Sequence, residues 1–283
     1  MRQFPIWVPA DGGEVAAVLT VPDGEPRGIV LTLAGTGRHV AIGSTMSALV
    51  SQRAAEHGLA SVRFDYTGVG DSPGIVESWA LSDVGSASRQ ALDVLTTASE
   101  VLGVSQYAVV GTCYGSRVAL SLVGHPACLG AVCIAPPVLE HGKVVNIGRS
   151  AGHGSRFSFV RGNPVIRKAV YDPLRSLLKE SKLAPGVRCA FGALDHAKLV
   201  FLYSDDHERD QLTGRARAAL EKAVASLPED QRRRFALHVV SAGALTTFEV
   251  LPPDEQAMIL DLFLPLVDGW FEPSRAEAVL QSA

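Results

Sequence analysis

The sequence predicts an α/β protein with a mostly parallel sheet and helices on both faces. Two observations carry this. Short β-branched runs alternate with longer helical stretches along most of the chain. Several of those runs are continuously apolar, the signature of strands buried on both faces. Such alternation implies right-handed βαβ units, with chemistry expected at the strand ends and the turns after them.

The elements follow in order. Residues 14–21 (EVAAVLTV) and 28–33 (GIVLTL) read as strands. Residues 44–58 read as a helix, with Met46, Leu49, Val50 and Ala54 on one face. A strand at 60–65 (ASVRFD) precedes a helix at 82–102. The apolar strand 106–111 (QYAVVG) runs into a helix at 114–124, and 129–135 (LGAVCIA) is again a strand. The pattern breaks after Pro136-Pro137: residues 138–196 carry Gly, Pro, Arg and short helical pieces without a strong strand. This predicts an insertion, a lid or cap, over the strand ends, leaving 1–137 and 197–283 as the core. Alternation resumes with a strand at 198–203 (KLVFLY), a charged helix at 212–226 and a strand at 236–241 (ALHVVS). A last helix at 253–270 opens on the start signal Pro252-Pro253.

Composition narrows the function classes. The 283 residues are 47% hydrophobic and 19% charged, enough to bury a full core. The net charge of -3 provides no global basic field for nucleic acid or an anionic membrane. The N-terminus MRQFPIWVPADGG lacks the pattern of a signal peptide, and apolar runs such as LGAVCIAPPVL are too short to span a bilayer. A cytoplasmic protein is expected, with neither nucleic acid nor membrane as partner; the oligomeric state is left open. The four cysteines, Cys113, Cys128, Cys133 and Cys189, form no CxxC pair and no metal spacing. Free thiols are expected, with no metal or cofactor.

The sharpest motif is Gly111-Thr112-Cys113-Tyr114-Gly115, between the strand YAVV and the apolar helix SRVALSLV. A side chain displayed on so tight a strand-to-helix turn needs glycine two residues to either side. The helix that begins there aims N–H groups and its positive end at the turn. That field favours a thiolate, the reactive form of cysteine. In this context the motif resembles the nucleophile elbow G-x-S-x-G with Cys in the Ser place.

With this motif the chain resembles the α/β-hydrolase superfamily, as a cysteine-nucleophile variant. Two further segments carry the likeness. Arg63-Phe64-Asp65-Tyr66-Thr67-Gly68-Val69-Gly70-Asp71-Ser72 resembles the strand-end segment R-x-D-x-x-G-x-G-x-S, which turns the chain beside the active site. Leu33-Ala34-Gly35-Thr36-Gly37 stands where the family has its His-Gly-x-Gly oxyanion loop, with Ala34 replacing the His. The resemblance covers most of the chain outside 138–196. It implies an oxyanion hole from the N–H groups of Thr36 and Tyr114. It implies an acid in Ser204-Asp205-Asp206-His207, where Asp206 is preferred over Asp205.

One departure matters. The family places a catalytic His after its last strand, in a segment like G-x-x-H-x-F. Here the segment is Gly243-Ala244-Leu245-Thr246-Thr247-Phe248, with Thr246 at the His position and no His from 239 to 283. A threonine hydroxyl is no base near neutral pH. A helix end can activate a thiol without His, but it cannot activate the water that releases an acyl-enzyme. A substitute base would come from elsewhere, first from His39 beyond the oxyanion loop or His207 beside the acid turn. In the insertion Arg149, Arg156, Arg161, Arg167 and Lys168 cluster with Phe157 and Phe159. They read either as a solvated basic face or as guanidinium groups that hold an anionic substrate, with Thr246 a further lining residue.

Three functions fit these residues. The first is removal of an acyl group, for example acetate, from a small and possibly anionic or carrier-bound metabolite. Elimination or transfer suits the absent His better than hydrolysis, as in polyketide and natural-product tailoring. The second is a Cys-dependent esterase or thioesterase of dienelactone-hydrolase type, with a recruited His base. The third is a non-catalytic protein that binds a ligand in the old pocket.

Overall fold

The computed structural model describes residues 1–35, 45–75, 83–140, 182–206 and 212–272. Eight strands form one sheet: β1 (Arg2–Ala10), β2 (Gly13–Val21), β3 (Ile29–Leu33), β4 (Ala60–Phe64), β5 (Tyr107–Thr112), β6 (Cys128–Ile134), β7 (Lys198–Ser204) and β8 (Phe235–Val240). Their order across the sheet is β1-β2-β4-β3-β5-β6-β7-β8. β1 pairs antiparallel with β2, and β2 antiparallel with β4; every other neighbouring pair is parallel. All residues of β3, β4 and β5 are buried, as expected of central strands covered on both faces.

β1 is an addition to the predicted strands. Pro5 and Pro9 argue against a central strand, and the structure puts them where proline is tolerated, on the sheet edge.

The helices are α1 (Thr45–Glu56), α2 (Gly85–Leu102), α3 (Tyr114–Leu122), α4 (Pro185–Gly192), α5 (Gly214–Ala225), the short α6 (Glu229–Arg232) and α7 (Pro253–Asp268). α1 packs with α7, while α3 packs with α2 and α4, so both faces of the sheet are covered. A single apolar cluster runs through the sheet and reaches every helix except α6. A 3-10 turn spans Leu245–Val250 after β8.

The range assigned to the insertion is narrower than expected. Val187, Ala190 and Phe191 of α4 are buried in the main core, as are Ala193, Leu194 and Ala197. Residues from about 182 onward therefore serve the core, and 141–181 lies outside the described residues. The two described segments that flank 141–181 pair with each other as a neck. Leu139 bridges Leu183 antiparallel, Glu140 N–H donates to the Lys182 carbonyl at 3.0 Å, and Ala184 N–H donates to the Val138 carbonyl at 2.8 Å.

The segment after β4 braces the sheet. Ser72 Oγ accepts from Ala16 N–H at 2.9 Å and donates to the Asp65 carbonyl at 2.6 Å. Asp71 N–H donates to Asp65 Oδ2 at 3.3 Å, and Arg63, buried, donates to Ser51 Oγ at 3.1 Å. These bonds tie the exit of β4 to β2 and α1.

Candidate active site

β5 ends at Thr112, and α3 begins at Tyr114. Between them Cys113 has φ 51° and ψ -108°, a conformation L side chains rarely adopt. Its N–H donates to the Ile134 carbonyl at 3.0 Å, fixing the turn against the end of β6. The flanking glycines are explained by contact. A Cβ on Gly111 would lie 2.4 Å from the Gly115 carbonyl oxygen. A Cβ on Gly115 would lie 2.3 Å from the Leu33 oxygen and 2.6 Å from the Ala34 oxygen. Both clashes are with backbone, so no side-chain motion relieves them. Ser116, fully buried, closes the turn from below by donating to the carbonyls of Gly111 at 2.7 Å and Ile134 at 3.0 Å.

Cys113 is half-buried and Cys189 exposed, while Cys128 and Cys133 are buried. Burial pushes the Cys128 thiol up to about 12 and the Cys133 thiol higher still. Those two are inert packing groups near neutral pH.

The exit of β3 lies against the elbow. A Cβ on Gly35 would be 3.4 Å from both Cys113 Cβ and the Thr112 oxygen. The described start of the expected oxyanion loop is thus adjacent to the thiol-bearing residue. Thr36 itself lies outside the described residues. Tyr114 is the first residue of α3, and the first N–H groups of any helix lack an intrahelical acceptor. Its ring is buried edge-on to Tyr66, with centroids 5.9 Å apart, and its hydroxyl donates to the Asp83 carbonyl at 3.4 Å. Burial pushes that phenol up to about 12. The backbone of Tyr114 is therefore held by a side chain anchored away from the site.

β7 delivers the acid turn two strands from the elbow, with β6 between. Asp205 is exposed, and its carboxylate accepts from Ser241 Oγ at 3.0 Å. Asp206 is half-buried, and its N–H donates to Ser204 Oγ at 3.2 Å. The neighbouring carboxylate is turned to the end of β8, which leaves Asp206 as the candidate acid. Thr246 is half-buried in the 3-10 turn, on the loop that follows β8.

The described histidines lie away from the elbow end of the sheet. His57 follows α1 and faces Asp268 at 3.1 Å, at the edge where β4 begins. His125 and His196 precede β6 and β7, again at the strand starts. His238 is within β8 beside Leu202. None of these four is at the strand ends that carry Cys113 and Asp206. His39 and His207 lie outside the described residues, as do Arg149, Arg156 and Arg161. Among the described residues, no group of three His, Cys, Asp or Glu could hold a metal ion, and no helix is long and apolar enough to cross a membrane.

One residue went unread in the sequence. Arg117, a single charge within the apolar helix SRVALSLV, is buried with 5% exposure. It donates through Nη2 to the Leu139 carbonyl at 2.8 Å. A cation in an otherwise apolar helix was the signal available.

The mostly parallel eight-stranded sheet, its strand order and the strained turn between β5 and α3 define an α/β-hydrolase fold. Solved structures of that fold superpose over nearly the whole chain. An esterase of Pyrococcus furiosus matches with TM-score 0.57 and 13% identity over 93% of this chain and 92% of its own. An α/β serine hydrolase homologue from Coxiella burnetii gives 0.58 and 12% over 94% and 98%. An α/β serine hydrolase without a lid from Xanthomonas campestris gives 0.54 and 12% over 94% and 96%. At such identities the likeness carries the fold and not the chemistry. No protein-family model matches the sequence, and no curated protein matches it.

Proposed function

We propose that this protein is an enzyme that cleaves acyl esters through Cys113, and that it removes the acyl group by transfer or elimination rather than by efficient hydrolysis. The observation that carries this is the strained elbow: Cys113 at φ 51°, wedged between glycines that no larger residue could replace. Strain of this kind costs roughly 1–3 kcal/mol and persists where the surroundings enforce it, commonly at reacting groups.

In the transfer reading the Cys113 thiolate attacks the acyl carbonyl carbon. A sulfur–carbon bond forms, the carbon–oxygen bond to the alcohol portion breaks, and that oxygen leaves with a proton. The N–H groups of Tyr114 and Thr36 receive the carbonyl oxygen as it gains charge; one such donor is worth about 3 kcal/mol of barrier. The acyl group then passes to an acceptor nucleophile. In the elimination reading the Cys113 thiolate takes the proton from the carbon next to the ester-bearing one, a carbon–carbon double bond forms, and the alkyl carbon–oxygen bond breaks so that the carboxylate leaves with its electron pair; no activated water is needed. Thr246 in place of His, with the four described histidines elsewhere, supports both over hydrolysis. A small, anionic or carrier-bound acyl ester is the substrate class, as in natural-product tailoring. The basic cluster of Arg149, Arg156 and Arg161 supports the anionic member of that class.

A second reading, a Cys-dependent esterase with His39 or His207 as base, is favoured by the esterase among the structural neighbours. One experiment separates them. Wild type, Cys113→Ala, Asp206→Asn, His39→Ala and His207→Ala are incubated with p-nitrophenyl acetate, following phenolate release and intact mass. The proposal expects a rapid first release, an acetyl adduct that persists on Cys113, and no adduct in Cys113→Ala. Steady turnover lost in His39→Ala or His207→Ala establishes the esterase. Full turnover by Cys113→Ala overturns both.

A further inference from the structure

We propose that Arg117 is a positioning residue. Its guanidinium locks the neck of the 141–181 insertion onto the helix that carries Cys113 and, with Tyr203, fixes the exit of β6 beside the acid turn. This rests on the catalytic role of Cys113.

Arg117 is the fourth residue of α3, the helix that begins immediately after Cys113. Its Nη2 donates to the Leu139 carbonyl at 2.8 Å, the carbonyl of the residue that bridges Leu183 in the neck. Glu140 and Tyr203 are near enough to favour its cationic form. Tyr203, fully buried in β7, donates to the Pro136 carbonyl at 2.6 Å. Pro136 is two residues beyond Ile134, whose carbonyl receives the Cys113 N–H. Tyr203 in turn immediately precedes Ser204-Asp205-Asp206. The Arg117 bond to Leu139 and the Tyr203 bond to Pro136 therefore tie the elbow helix and β7 to the same post-β6 segment, at carbonyls three residues apart.

The neck has its own clamp outside this point. Arg188 of α4 donates to the Leu183 carbonyl and pairs with Glu140 at 3.8 Å. That clamp is exposed, whereas Arg117 ties the neck to α3 from a buried position, beside the packing of α4 on α3. A buried arginine is an expensive choice for a merely structural tie. Desolvation lowers its pKa to about 10, and its Nε has no hydrogen-bond partner among the described residues. A leucine would fill the same space without that penalty. What the guanidinium adds is direction: a fixed planar donor that sets where the neck stands relative to Cys113.

The test compares wild type, Arg117→Gln and Arg117→Lys on the full chain. Hydrogen exchange is read at the Glu140 and Ala184 amides of the neck, with the Val109 and Val132 amides as core controls. Iodoacetamide alkylation of Cys113 is read by peptide mass spectrometry. The first release of phenolate from p-nitrophenyl acetate, followed against substrate concentration, gives the acylation rate and its half-saturation. In Arg117→Gln the neck amides are expected to exchange about tenfold faster with core amides unchanged. Cys113 alkylation and the acylation rate are expected to fall by about tenfold while the half-saturation moves less. Arg117→Lys, which keeps the charge and one donor, is expected to recover part of each. Neck exchange and Cys113 alkylation within twofold of wild type in Arg117→Gln would overturn the proposal. Should Arg117→Gln not fold, Arg117→Lys decides by the same readings. A wild type that releases no phenolate sinks the acyl-ester reading, whereas exchange and alkylation still decide the role of Arg117.

Discussion

Replacing Gly115 by alanine sets two effects of opposite sign against each other. Gly115 is in the first turn of α3, where helix propensity alone favours alanine by up to about 1 kcal/mol. The added Cβ, however, would meet the Leu33 oxygen at 2.3 Å, the Leu33 carbon at 2.7 Å and the Ala34 oxygen at 2.6 Å, where ordinary contact starts at 3.4 Å. Helix and strand must separate by roughly 1 Å, and the atoms in the way are backbone. Overpacking of this kind costs about 1–3 kcal/mol, so the clash wins. The displaced piece is Leu33-Ala34-Gly35, which leads into the expected oxyanion loop beside Cys113. A shift of that size at a reacting site is worth about a hundredfold in rate. Guanidinium denaturation and Cys113 alkylation measure the two consequences separately. Gly214→Ala is the control: its Cβ would meet nothing within 4 Å at the start of α5, and the change is expected to be neutral or mildly stabilising. Gly115→Ala with wild-type stability and wild-type Cys113 reactivity would refute the packing account of the elbow.

Two further outcomes follow from burial. In the native protein Cys113 and Cys189 should react with Ellman's reagent at pH 7.5, and Cys128 and Cys133 only after denaturation; fast native labelling of all four thiols contradicts the core described above. Stability should fall on the alkaline side. The folded Cys128 thiol is pushed up to about 12 and Cys133 moves in the same direction. Below the unfolded thiol value of ~8.5 both states keep these protons. Above it the unfolded chain loses them first, so each buried thiol removes about 1.4 kcal/mol of stability per pH unit. A denaturation midpoint that stays level or rises from pH 8 to pH 10 would contradict this.

The parts of this molecule legible in its sequence are those where one local rule dominates. The central strands announce themselves because burial on both faces demands unbroken apolar runs, and YAVV shows this. The elbow is legible because two glycines flank the displayed residue, and the structure gives each a backbone atom within 2.4 Å of its missing Cβ. β1 is hidden by Pro5 and Pro9, whose presence is compatible with a strand only at an edge that the sequence does not reveal. α4 is hidden for another reason. Its buried residues Val187, Ala190 and Phe191 follow a long basic stretch, and nothing local says that the chain has already returned to the core. Arg117 is the instructive case. An apolar helix with one charge is a buried helix with one buried charge, yet its partner is a carbonyl 22 residues away that only the fold brings near.

The strain at Cys113 is open to direct measurement. Its φ of 51° and ψ of -108° lie where a side chain is rarely held. Glycine adopts that region freely, whereas a residue with a Cβ resists it by roughly 1–3 kcal/mol. Cys113→Gly should therefore be more stable than Cys113→Ala by about 1 kcal/mol, even after the entropy that glycine adds to the unfolded chain. Both variants lose the sulfur, so the difference between their denaturation midpoints isolates the backbone and not the thiol. If Cys113→Gly proves the less stable of the two, the turn is not strained, and the thiol's position loses its claim to be enforced. If the difference has the expected sign, the fold enforces the position of the Cys113 thiol against its own stability.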